Sequence, residues 1–153
     1  MPYAIPHWVW DAIAIAVFAA AVWKGGRDER IAATGMLVAA LLSKLVYQRA
    51  QATEWGILGI DAAALALFLW LALTSARYWP LFLAAFQFLA VIIHLARIAD
   101  RSLSGWAYIS AEILFGYLVA ISIAVGTFNA WRRQLREPTA IGDPTDDPGT
   151  MRR

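Results

Sequence analysis

Residues 57–70 read ILGIDAAALALFLW, an apolar run interrupted only by Asp61. Without that carboxylate the segment has the composition of a helix that crosses a bilayer. A charged side chain in hydrocarbon is costly, and it is kept where it pairs or faces a protein interior. The fold must therefore supply Asp61 with a partner, and the rest of the chain indicates where one can come from.

The chain of 153 residues is 61% hydrophobic and 16% charged, against roughly 45–50% and about 25% in soluble domains. The excess lies in five runs, approximately residues 6–23, 31–47, 55–73, 78–99 and 106–130. Each approaches the ~20 residues a helix needs to cross ~30 Å of hydrocarbon. Alternating strand patterns are not seen, which argues against a β-barrel. The connections KGGRDER, QRAQATE, TSAR and DRSLSG are brief, so consecutive helices are expected to be antiparallel neighbours. The expectation is an all-α membrane protein: an antiparallel bundle of five transmembrane helices within residues 1–136, then a polar, flexible, cytoplasmic tail over 137–153 rich in Pro, Gly and Asp. The opening MPYAIPHWVWD has no Lys or Arg, unlike a secretory leader, so the first span is expected to stay in the membrane.

Orientation follows from the basic residues in the loops. Lys24, Arg27, Arg30, Arg77, Arg132, Arg133 and Arg136 fall on one side, and Arg49, Arg97 and Arg101 on the other. Seven against three predicts N-out and C-in, in a bacterial-type inner membrane. Trp8, Trp10, Tyr47, Trp55, Trp106 and Tyr108 would mark the outer interface, and Trp23, Tyr78, Trp79 and Trp131 the inner one. Membrane flanks account for the net charge of +2, so no nucleic-acid partner is invoked. Cysteine is absent, which excludes disulfides, thiolate metal sites and thioether-linked haem.

On this topology Asp11, Asp61 and Glu112 lie near the starts of helices one, three and five, while Lys44 and His94 lie near the ends of helices two and four. All five fall in the outer half of the membrane, and no titratable group is placed in the inner half of any core. Gln87, Ala90, His94, Arg97 and Arg101 recur at spacings of three and four, forming a polar stripe on one helix face. The candidate cluster is thus Asp11, Lys44, Asp61, Gln87, His94, Arg97 and Glu112. One reading is a polar clamp, with acids near helix N-termini, bases near C-termini and opposite charges paired. Under that reading Asp61 lies close to Lys44, His94 or Arg97. The other reading is a ligand, ion or metal site in a shallow outward cavity.

His7 and His94 are the candidate metal ligands, since imidazole suits Zn, Cu, Fe or Ni. No H-x-x-x-H or H-E-x-x-H pairing lies within one helix, and His7 follows Pro6 at the end of the first span, which disfavours b-type haem. The cofactor question stays open. Small residues at Gly35, Ala39 and Ser43, and at Gly116, Ala120 and Ala124, form ladders expected to allow close helix packing. The inner half offers only Thr34, Ser122, Thr127 and Asn129, too little for a proton or ion relay across the membrane. Phosphate-binding loops, nucleophile elbows and dinucleotide-binding turns are absent. These features favour a non-catalytic accessory or interaction protein, a subunit of a larger membrane assembly or a homo-oligomer in the bilayer. The alternative is a small transporter or sensor. A dry, fully paired cluster favours the first, and an outward cavity the second.

Overall fold

The computed structural model describes residues 7–48 and 54–136, with side chains from 12–46 and 55–136. The described chain is all-helical: α1 (His7–Lys24), α2 (Arg27–Gln48), α3 (Glu54–Thr74), α4 (Trp79–Ala99) and α5 (Gly105–Arg136). Three stretches, Trp55–Thr74, Trp79–Ala99 and Gly105–Arg136, are long and apolar enough to cross a membrane. The tail beyond Arg136 lies outside the described residues.

Local chemistry sets the breaks. Gly25 and Gly26 alone separate α1 from α2, and the Gly25 amide donates back to Ala21 O at 3.0 Å. A Cβ on Gly25 would stand 2.2 Å from that carbonyl oxygen, so only glycine fits this close turn. Pro80 occupies the first turn of α4, where its missing N–H leaves no helical bond unmade. The Ser104 hydroxyl accepts from the Ala107 amide at 3.1 Å and caps the start of α5.

The helices pack in chain order, α1 closes the bundle against α5, and α2 also touches α5. Phe68, Leu71, Leu83, Val119 and Ile123 fill the shared core, together with Ala21, Ala32 and Ala33. The outward faces carry large apolar side chains such as Leu41, Leu73, Phe82 and Ile121, as hydrocarbon-facing helices require. Gly25–Gly26, the α3–α4 turn and Arg136 share one end of the bundle, the lower end; the α4–α5 turn and the start of α3 share the upper end. Gln134 at the foot of α5 donates to Lys24 O at 3.4 Å, placing the ends of α1 and α5 side by side.

Two boundaries differ from the sequence reading. KGGRDER is not a loop: α2 begins at Arg27 and takes Asp28 and Glu29 into its first turn, where acids complement the helix dipole. The last helix runs through 32 residues to Arg136 instead of ending near 130. At ~1.5 Å per residue it is about 48 Å long and outreaches a ~30 Å hydrocarbon core.

Candidate functional site: a polar cavity and a buried ion pair

Asp61 lies about 10 Å along α3 from its start, counting ~1.5 Å per residue. His94 comes to the same level from α4. Its Nε2 is 2.7 Å from Asp61 Oδ2, an ion-pair contact and not a well-aligned hydrogen bond. Gln87, two turns earlier on the same face of α4, donates through Nε2 to Asp61 Oδ1 at 3.1 Å and to the Asp61 carbonyl at 3.4 Å. On the far side of the imidazole, the Tyr108 hydroxyl lies 2.8 Å from His94 Nδ1. His94 is 3% exposed and Gln87 2%, so α3, α4 and α5 are joined here by a polar chain within the packed bundle.

The chain accepts either charge state of His94. Neutral imidazole carries its proton on Nε2 toward Asp61 and accepts from the tyrosine hydroxyl at Nδ1. The imidazolium donates at both nitrogens, and only the hydroxyl proton must turn. The heavy atoms can stay where they are.

Beside this chain lies a cavity of about 560 Å³ between α2, α3, α4 and α5. Lys44, Asp61, Gln87, His94 and Glu112 supply its polar wall, and Ser43, Ala39, Ala90 and Gly116 line it as well. Lys44 and Glu112 are exposed, and neither forms an ion pair or hydrogen bond with a described residue. The cavity therefore combines one satisfied acid with two charges of opposite sign still open to a ligand.

The remaining candidates fall elsewhere. Arg97 does not reach Asp61. It turns toward the α4–α5 turn, donating to Leu103 O, with its guanidinium 5.9 Å from the Tyr108 ring centre. The side chains of His7 and Asp11 lie outside the described residues, and so does the candidate metal pair of His7 with His94. Among the described residues no three His or carboxylate side chains converge as a metal shell. The packing ladders divide. A Cβ on Gly35 would come 2.4 Å from Leu67 Cδ2, so α2 and α3 do approach closely, and Ala39 is buried beside them. Ser43 faces the cavity. Gly116 meets nothing within 4 Å, Ala120 is partly buried against the core, and Ala124 opens onto a groove shared with Val17 and Trp131. The close approach on α5 is made by Gly126, where a Cβ would stand 2.7 Å from the Trp79 indole. The face α5 buries runs through Val119, Ser122, Ile123, Gly126 and Ala130, one step round from the ladder read in the sequence.

A second polar cluster holds the lower end, where none was expected. Glu29 is fully buried and pairs with Arg77 from the α3–α4 turn. Its neighbour Asp28 accepts from the Ser75 hydroxyl at 2.7 Å, and Arg30 Nε donates to Gly25 O at 3.1 Å. Trp79 is also not an interface marker: it is 7% exposed and packed on α5. Between the two clusters, the Ser122 and Thr127 hydroxyls each donate at 2.8 Å to the carbonyl four residues back, and so offer no link.

No known family matches the chain, and no curated protein or solved structure does so either.

Proposed function

We propose that the protein is a small polytopic membrane receptor, a sensor that binds a small zwitterion in the cavity at the upper end of its bundle. Five helices cross the bilayer in this reading, with the N-terminus outside and the C-terminus inside a bacterial cytoplasmic membrane. The observation that carries it is the cavity of about 560 Å³ on whose wall Lys44 and Glu112 pair with no described residue. Glu112 takes the ligand's ammonium, Lys44 its carboxylate, and the Asp61–His94–Tyr108 chain joins the occupied cavity to the α4–α5 turn. Hydrogen bonds that tie Ser122 and Thr127 to their own helix favour a sensor over a conduit.

The test is thermal unfolding of the purified protein in detergent or nanodiscs with amino acids, small amines, carboxylates and divalent cations added singly. A zwitterion should stabilise it, by about 2.7 kcal/mol at a hundredfold excess over its Kd. Glu112→Gln and Lys44→Met should each abolish the shift. If none of these compounds shifts the transition, or if one shifts both variants as much as the wild type, the receptor reading is wrong. The accessory-subunit reading draws on a different feature, an apolar groove lined by Gly35, Val38, Leu42, Gly56, Gly59 and Leu67 along α2 and α3. A partner helix co-purifying on that groove would support it.

A further inference from the structure

The lower end of the bundle carries a second concavity of about 420 Å³, walled by Arg77, Tyr78, Asn129, Arg132, Arg133 and Arg136. Arginines near a helix C-terminus complement its dipole, and Arg133 and Arg136 do so on α5. That does not explain why Arg77, from the α3–α4 turn, shares the same crevice. Nor is the charge neutralised within the fold. The two acids described at this end are already committed, Glu29 to Arg77 and Asp28 to Ser75. Arg132 rests on the Phe128 ring at 5.6 Å, and Arg133 and Arg136 pair with no described residue. Trp79 also lines the crevice, and its buried indole N–H has no acceptor among the described residues. The wall is rich in donors, and no uncommitted acid among the described residues faces it.

The depth of the crevice narrows the choice of anion. Trp23 is 77% exposed, Tyr78 81% and Trp131 41%, and all three lie at this end of the bundle. Exposed Trp and Tyr at the end of apolar helices sit at headgroup level in a bilayer. A phosphate at that depth belongs to a phospholipid, and planar guanidinium groups match its oxygens two at a time.

We propose that this crevice binds the phosphate of an anionic phospholipid, held by Arg132, Arg133 and Arg136 with Arg77 at the back. The site is independent of the upper cavity and of what that cavity binds. Native mass spectrometry of the full chain, titrated in detergent with phosphatidylglycerol or phosphatidylcholine, tests it. The wild type should retain phosphatidylglycerol in preference. Arg133→Gln should lower that preference about fivefold, the worth of one arginine at a charged lipid surface. Arg27→Gln, at the same end but outside the crevice, should leave it unchanged. Melting without added lipid should stay close to the wild type in both variants, since neither side chain pairs with a described residue and one arginine at a helix end contributes little. Equal losses in the two variants would mean diffuse surface charge and overturn the site. Inorganic phosphate that displaces the lipid and stabilises the protein equally well would overturn the lipid assignment and leave a free-phosphate site.

Discussion

His94 Nε2 stands 2.7 Å from Asp61 Oδ2, so one ion pair joins α3 to α4 about two turns below the upper end of the bundle. Gln87 holds the other carboxylate oxygen and Tyr108 the other imidazole nitrogen. Removing one member leaves its partner buried with a charge or a polar atom unmatched. Asp61→Leu should therefore destabilise by about 3 kcal/mol. The double change Asp61→Leu with His94→Leu should cost less than the sum of the singles, with a coupling of at least about 1 kcal/mol. Unfolding in detergent measures all three variants. Strict additivity would show that the contact contributes no pairwise energy.

At the lower end, Arg77→Leu leaves the fully buried Glu29 without its cation. We expect a loss of about 3 kcal/mol, partly restored when Glu29→Gln is added. Glu29→Gln alone should be milder, because the Arg77 side chain is 31% exposed and can turn to water. Equal losses for the two single variants would mean that the pair is not the reason for the burial of Glu29.

The two glycines of α5 should respond in opposite directions. Gly126→Ala drives a methyl into the Trp79 indole, and overpacking of this kind costs about 1–3 kcal/mol. Gly116→Ala meets open space and should be neutral or gain up to about 1 kcal/mol from helix propensity. Thermal melts of the two variants decide it, and a destabilised Gly116→Ala would show a neighbour packed where the cavity is drawn.

Asp100 caps the end of α4, outside the stretches long and apolar enough to cross a membrane. Hydrogen bonding from Ser102 holds its carboxyl below the usual value; the Ser102 amide donates to Oδ1 at 2.9 Å. A depressed carboxyl stabilises the fold above its unfolded pKa, and that contribution is lost as pH falls through the lower folded value. NMR titration should show Asp100 moving up toward an ordinary aspartate in Ser102→Ala. An unchanged titration would assign the shift to another group.

The five helices were legible because the apolar runs are separated by short connections rich in glycine, charged and small polar residues. Depth alone set Asp61 level with Lys44, His94 and Arg97, because an acid early in one helix and a base late in an antiparallel neighbour reach the same level; the packing of α3 on α4 selects His94. Glu29 was missed because KGGRDER looks like a polar loop. Glu29, three and four residues before the buried Ala32 and Ala33, in fact lies in the first turn of a helix whose next turn is core. Tyr108 reads as an interfacial anchor until α4 is placed beside it. The α5 packing face went astray because Gly116, Ala120 and Ala124 mimic a contact ladder, while the larger Val119 and Ile123 beside Gly126 make the contact. Small residues permit close approach on either face, and only the tertiary arrangement selects one.

We expect the cavity beside Asp61 and His94 to admit water and polar solutes from one side of the membrane. The native chain has no cysteine, so single cysteines report without background. Gly116→Cys and Ser43→Cys line the cavity, Ile121→Cys lies on an outward apolar face, and Ser102→Cys sits in the exposed α4–α5 turn. A membrane-impermeant thiol reagent attacks only the hydrated thiolate. Applied to the side that labels Ser102→Cys, it should modify Gly116→Cys and Ser43→Cys at comparable rates and leave Ile121→Cys untouched. If the two cavity cysteines are as inert as Ile121→Cys, the space is dry or lipid-filled and the receptor account fails.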